Sequence, residues 1–382
     1  KKIEYDKERE TYLLSLGLKI IHFTAKDVLQ KLDDVIKKLR EHILAQFPSH
    51  RGVPEGRGVF REVELALEES LFSSCCIGIS KNGEREIFAF NCEEDSIFDC
   101  ASITKSMPTA YLALRAIESG ILSLETPITE VLPNFGERTA KIFHLLTHSL
   151  DYRFPMSSLK DLPPQEIWQR ICSHKFEIPP GQLFCYGNAN SILLGRVLEA
   201  IYKMPLDKLA SEKVFGPLGM QSTGWHPLEW ASKSRIIPSE ICPWRGRELR
   251  GETHDESAWR LEQEFGAVGS AGVFSTVPDI LKFLNHIMES DFLVEKLTNN
   301  VLAYLNECTA LGFELNNSKF MGEIKNGDAI FGKTGFTGTS FICRPRDKAI
   351  LVILSNYTYP KRKPSPDKIN EFRARLAEIF LN

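Results

Sequence analysis

Three short strings in this 382-residue chain hold side chains that could together run an acyl transfer. In Ser102-Ile103-Thr104-Lys105 a hydroxyl nucleophile has an amine three residues on, and in Tyr186-Gly187-Asn188 a phenol has an amide beside it. In Lys333-Thr334-Gly335 a cation opens a strand edge suited to docking a carboxylate. A serine hydroxyl is a poor nucleophile at neutral pH, so a neighbour must accept its proton, and both Lys105 and Tyr186 have the chemistry to do so. Singly the strings discriminate little. Ser-x-x-Lys recurs from Ser157 to Lys160 and from Ser365 to Lys368, and Tyr-x-Asn recurs from Tyr304 to Asn306. Their order and their flanks carry the signal.

The elements that must position these groups can be read around them. After Ser102, apolar residues at Ala110, Leu114 and Ile117, with Leu112 and Ala116 beside them, predict a helix that Gly120 closes. Ser102 then lies near the first turn, shares a face with Lys105, and has free backbone N–H groups close by for a developing oxyanion. Pro108 must either sit in the opening turn or kink the helix. Arg61 to Phe72 reads as an entry helix. Strands follow at Cys75 to Ser80 and Glu86 to Asn91, around an Asn82-Gly83 hairpin turn. Three more strands are predicted at Ala329 to Gly332, Ser340 to Cys343 and Ala349 to Leu354. A last helix from about Asp367 carries Ile369, Phe372, Leu376 and Ile379 on one face. Strands from both ends with mostly helical sequence between them imply an α+β fold: one antiparallel sheet bracketing an inserted helical lobe.

Longer stretches carry a resemblance. The run from Phe98 to Phe135, with Gly120-Ile-Leu-Ser-Leu-Glu-Thr-Pro-Ile-Thr-Glu-Val-Leu-Pro133, is similar to the class C β-lactamase and D-alanyl-D-alanine carboxypeptidase family of penicillin-binding serine hydrolases. Phe143 to Ser149 resembles that family's Leu-Leu-Thr-His signature, Pro180 to Asn190 its tyrosine loop, and Phe215 to Met220 its helical-domain mark. Gly251 to Ala258, Gly269 to Thr276 and Phe331 to Ser340 continue the series in order, so the likeness spans about residues 61–382. It implies a β-lactamase-like sandwich with the active site between sheet and helical lobe. Ser102 is then the nucleophile, with Lys105 and Tyr186 converging on its oxygen and Asn188 orienting Lys105 and the substrate amide. Lys333 supplies positive charge, Thr334 donates a hydrogen bond, and Gly335 lets the substrate backbone approach. The N–H groups of Ser102 and Phe336 form the oxyanion hole.

The resemblance also bears on substrates. Many esterase-like members have histidine where Lys333 stands, so lysine points to substrates with a carboxylate, such as D-alanyl peptides or β-lactams. Phe336 replaces a smaller residue of true β-lactamases, which predicts slow turnover of bulky antibiotics. The alternatives are a serine esterase or amidase with the same machinery, and a sensor of β-lactams or peptidoglycan fragments that acylates and stalls. No cofactor is implied. His144 and His148 stand four apart but lack the glutamate of a zinc protease motif, so no metal site is expected. His254 and Asp255 either line the cleft, His254 then touching substrate, or stabilise their loop. Trp225, Trp230, Trp244 and Trp259 read as packing residues.

Composition fits a large folded protein: 43% of residues are hydrophobic, and no apolar run approaches the roughly 20 residues that span a bilayer. A net charge of −3 gives no electrostatic argument for nucleic acid or an anionic membrane, so the expected partner is a small-molecule or peptide substrate. Oligomeric state is not legible. The nine cysteines are odd in number, without a C-x-x-C pair, and lie in apolar contexts. Reduced, buried thiols and a cytoplasmic location are thereby favoured, against the periplasm if the protein is a true D,D-peptidase.

Before the hydrolase region, residues 1–47 read as a strand from Leu18 to Phe23 and a helix from about Lys26 to Gln46, and the polar stretch 48–60 reads as a linker. Tyr5 to Phe23 onward resembles the carboxyl-terminal end of a domain related to very-short-patch-repair endonucleases, with His22 and Thr24 departing from the pattern. An amphipathic helix that packs or assembles is the other reading. Either way the segment is accessory.

Overall fold

The structure is a computed structural model that describes Lys31 and residues 56–323 and 327–382. The chain divides into two units, Lys1–Gly52 and Val53–Asn382. The second holds all described residues but Lys31, so the strand, helix and endonuclease resemblance expected before residue 48 lie outside them.

Six helices matter for the site: α1 (Gly56–Glu68), α2 (Tyr111–Glu118), α3 (Asn188–Tyr202), α4 (Glu256–Phe265), α5 (Val277–Met288) and α6 (Asp367–Leu381). The main sheet contains β1 (Cys75–Lys81), β2 (Glu84–Phe90), β3 (Glu314–Leu315), β4 (Phe331–Thr334), β5 (Ser340–Arg344) and β6 (Ala349–Ser355). Their order is β2-β1-β6-β5-β4-β3, with every neighbouring pair antiparallel. Strands from the two ends of the chain meet at its centre, where Cys76 pairs with Leu354.

The central strands are apolar along nearly their whole length because both faces are covered. Alternate residues feed two cores. Ile77, Ile79, Leu351 and Ile353 pack with Val59 and Val63 of α1 and Phe372, Leu376 and Phe380 of α6. Ile350, Val352 and Leu354 face the other way, into the core that contains Ile280, Leu281 and Leu284 of α5 and the helical lobe. Gly78 is required where α5 crosses the sheet, since a Cβ there would run into Val277 and stand 2.9 Å from Leu281. Asn82 and Gly83 take positive φ at both central turn positions, as a tight hairpin demands.

Two boundaries differ from the sequence reading. α1 starts at Gly56, inside the stretch read as linker, and the strand expected at 329–332 lies at Phe331–Thr334, which puts Lys333 and Thr334 on the sheet. All nine cysteines are free; six are buried and Cys308 is exposed. Among the described residues no helix is long and apolar enough to cross a membrane.

Candidate active site

Ser102 lies on a 3₁₀ turn, Ala101–Lys105, where the sequence suggested an α-helix. With about three residues per turn, positions i and i+3 eclipse, so Lys105 stands over Ser102 and its Nζ donates to Ser102 Oγ at 2.9 Å. The chain enters this turn through Ala101 at φ +46°, a conformation that costs a non-glycine residue energy. Asp99 holds it there: Oδ1 accepts from the Ala101 N–H at 2.7 Å and Oδ2 from the His254 N–H at 2.8 Å. Pro108 resolves as a kink, with Met107 at φ −117°, ψ 108°, before α2 begins at Tyr111.

Lys105 is buried, and its Nζ also donates to Ser270 O at 2.8 Å. Tyr186 is half-exposed as a residue and lines the same cavity as Ser102, with Lys105 Nζ 5.6 Å from its ring centroid and its phenol in the field of Lys105 and Lys333. Burial opposes ionisation of this phenol, yet Lys105 and Lys333 together carry its pKa below the ordinary value. Lys105 is itself lowered, mainly by desolvation. Lys333 Nζ lies 4.4 Å from the Tyr186 ring centroid and 3.3 Å from Glu314 Oε1. Although burial opposes it, the Tyr186 and Glu314 oxygens raise the pKa of Lys333. This lysine was expected to await a substrate carboxylate; in the structure a carboxylate from the protein already pairs with it. His148 packs its ring 4.9 Å from that of Tyr186, and burial, Lys333 and Lys105 hold it well below the usual histidine range, hence neutral.

The other expected residues divide. Asn188 opens α3, and its amide donates to Asp255 Oδ2 at 2.8 Å and Ser257 Oγ at 3.1 Å, where the sequence reading had it orient Lys105. Asp255 caps α4 by accepting from the Ala258 N–H and is held below the ordinary carboxylate range, burial notwithstanding, by Ser257, Lys105, Ala258 and Asn188. His254 is buried with Nε2 2.9 Å from Glu240 Oε2, and its ring lies 5.6 Å from that of Phe336. It lines the cleft and also ties its loop down.

Gly335 makes room for the protein's own backbone. A Cβ there would lie 2.5 Å from Cys100 O and clash with Thr339. Thr337 Oγ1 donates to Asp99 O at 2.7 Å and Thr339 Oγ1 to Cys100 O at 3.1 Å, which fastens this strand turn to the nucleophile turn. The Gly338 N–H donates to Gly335 O, leaving the Phe336 N–H outside the turn's own hydrogen bond.

Two cavities meet at Tyr186. One, of about 490 Å³, is lined by Ser102, Asn188, His254, Phe336 and Arg362; the other, of about 530 Å³, by Lys333, Thr334 and Glu314. Among the described residues no His, Cys, Asp and Glu group could hold a metal, and His144 Nδ1 is used by the Lys141 N–H. Sequence reasoning missed Asp99, Ser270 and Glu314, and missed His148 as the neighbour of Tyr186. Asp99 lies inside the run from Phe98 to Phe135 and could have been flagged as a buried acid; Glu314 sits in no motif.

Comparison with known proteins identifies the group to which this arrangement belongs. The beta-lactamase family profile matches residues 69–375. The chain belongs to the beta-lactamase family. It is 25% identical to a putative D-alanyl-D-alanine carboxypeptidase of Escherichia coli K12, over 71% of this chain and 72% of that one. A Salmonella typhi protein of the same description is 23% identical over 69% of each chain. Among solved structures, EstCE1, a hydrolase with promiscuous acyltransferase activity, superposes at TM-score 0.67 with 18% identity, covering 86% of this chain and 98% of the other. The D-amino acid amidase of Ochrobactrum anthropi SV3 superposes at 0.65 with 18% identity, covering 86% and 99%. These likenesses establish the fold, and the family makes the protein a β-lactamase-fold serine hydrolase.

Proposed function

We propose that Ser102 is the acylated nucleophile of an amide or ester hydrolase and that Tyr186 is its base. The observation that carries this reading is the 2.9 Å contact from Lys105 Nζ to Ser102 Oγ, made while the same ammonium also donates to Ser270 O. Two acceptors on one buried amine, Ser102 Oγ and Ser270 O, with the Tyr186 phenol and Asp255 as negative neighbours, suit the charged lysine. The phenol, lying between two ammonium groups, is the group whose deprotonated form they stabilise.

Ser102 Oγ adds to the substrate carbonyl carbon as its proton passes to Tyr186. The oxyanion is met by the N–H groups of Ser102 and Phe336. Collapse breaks the scissile bond, the leaving group takes the proton, and water then releases the acyl group by the same route in reverse. Asn188, held by Asp255 and Ser257, presents its amide oxygen to the substrate in the Ser102 cavity. The substrate is a small molecule or peptide, and residues 1–47 are accessory to the hydrolase of residues 61–382. The relatives' descriptions add D-alanyl peptides to the substrates worth testing.

The test is labelling with a fluorescent penicillin and with an activated acyl ester, followed over time. Ser102→Ala should abolish labelling by both, and stoichiometric labelling that survives the substitution rules Ser102 out. Loss of label with time marks turnover; label retained indefinitely marks the stalled sensor.

A further inference from the structure

We propose that Glu314 sets the substrate class: by occupying the ammonium of Lys333 it turns away substrates that bring a carboxylate there and admits uncharged amides and esters. This rests on the hydrolase reading above and deepens it. The cavity beside Tyr186 that holds Lys333 and Thr334 also holds Glu314. The Lys333 side chain is 3% exposed and that of Glu314 23%, so a group entering from the cavity meets the carboxylate first. Glu314 is also fixed in place. Oε1 lies 3.3 Å from Lys333 Nζ, and Oε2 accepts from Asn317 Nδ2 at 2.7 Å. Its backbone is pinned on β3, where it pairs with Gly332, the residue before Lys333.

The other face of Lys333 is taken by Tyr186. The charges that remain in the lining of this cavity, Lys319 and Glu307, are of opposite sign, and Arg373, a further cation whose field reaches Glu314, is buried outside the lining and committed to Gly335 O and Thr339 O. A substrate carboxylate would therefore displace a seated one or lie against it, and like charges in a partly desolvated cleft repel strongly. An amide or ester carbonyl at the same place meets no such repulsion and can accept from Thr334, which lines the cavity.

The test uses two thioesters of one N-acyl-D-alanyl group, with mercaptoacetate or mercaptoacetamide as leaving group, and reads thiol release by the full chain. In the unmodified enzyme kcat/KM should favour the neutral thioester by about tenfold or more, the size expected of one like-charge contact. Glu314→Gln keeps the side chain's shape and its contact with Asn317 but frees Lys333. It should move the ratio towards the carboxylate substrate by at least about the same factor. Any general effect of the substitution on the base cancels in the ratio. Preference of the unmodified enzyme for the carboxylate thioester, or a ratio unchanged in Glu314→Gln, overturns the proposal. The first measurement decides without the variant, should that fold poorly. Turnover of both thioesters that survives Ser102→Ala would instead bring down the hydrolase reading.

Discussion

Lys105 donates to Ser102 and Tyr186 lines the same cavity, and their charge environments tell them apart. Glu314 pushes the phenol of Tyr186 up, against the two lysines that pull it down, whereas the forces on Lys105 come from burial, Tyr186, Asp255 and Lys333. A base must be deprotonated, so kcat/KM falls as pH drops through its pKa. If Tyr186 is the base, Glu314→Gln removes a negative neighbour and moves the acid limb for the neutral thioester to lower pH; a limb that stays where it was would assign the role to Lys105. Ser102, Lys105, Tyr186 and Lys333, which the structure brings together, were legible as candidates because each sits in a short string of fixed spacing. Glu314 was not, since it meets Lys333 across a strand pair from 19 positions away. Asn188 was legible as a site residue but not in its partners, because Asp255 approaches it from a loop 67 residues on.

At the scale of elements, α4 carries a half-buried acid behind the site that the proposed reaction does not use. Glu262 faces Thr253, whose Oγ1 lies 2.8 and 2.9 Å from its two oxygens, and burial pushes its carboxyl up to about 8. In an unfolded chain it would titrate near 4.5. A raised folded value means the native state holds a proton the unfolded state has lost, so the stability it contributes is complete below pH 4.5 and is lost as pH rises through about 8. Glu262→Gln copies the protonated form. Its thermal midpoint should match the parent near pH 5 and exceed it increasingly towards pH 9; parallel profiles would reject a neutral Glu262. The elements themselves were largely visible. Apolar strands from both chain ends and the amphipathic α6 announced the sheet and its cover, and Asn82-Gly83 announced the hairpin. The turn at Ser102 was misjudged because periodicity downstream of Pro108 was extended upstream across it, where the backbone is a separate 3₁₀ turn held by Asp99.

Over the whole molecule, the end of the chain holds the site together. Arg373 of α6 is buried and donates from one guanidinium nitrogen to Gly335 O at 3.0 Å and Thr339 O at 2.8 Å, the two ends of the turn that carries Phe336. Burial draws its pKa down to about 10, so it remains charged at neutral pH and both bonds are charge-assisted. That same turn is fastened to the nucleophile turn through Thr337 and Thr339. Motif spacing could not reveal this link, because it joins residue 373 to an active-site turn through packing on the far face of the sheet. Arg373→Met keeps the bulk of the side chain but takes the charge-assisted donor from two buried carbonyls, leaving Gly335 O to the Gly338 N–H and Thr339 O to the Gly335 N–H, at a cost of about 3 kcal/mol in denaturant unfolding. The turn would relax and the Phe336 N–H would lose its aim at the oxyanion. kcat/KM should then fall by roughly tenfold to a hundredfold, mostly in kcat, while the preference between the two thioesters, which depends on Glu314, stays near its parent value. Stability lost with kcat unchanged would make Arg373 a packing residue alone. A thioester preference that collapsed along with kcat would mean the substitution had spread to the Lys333 and Glu314 pair.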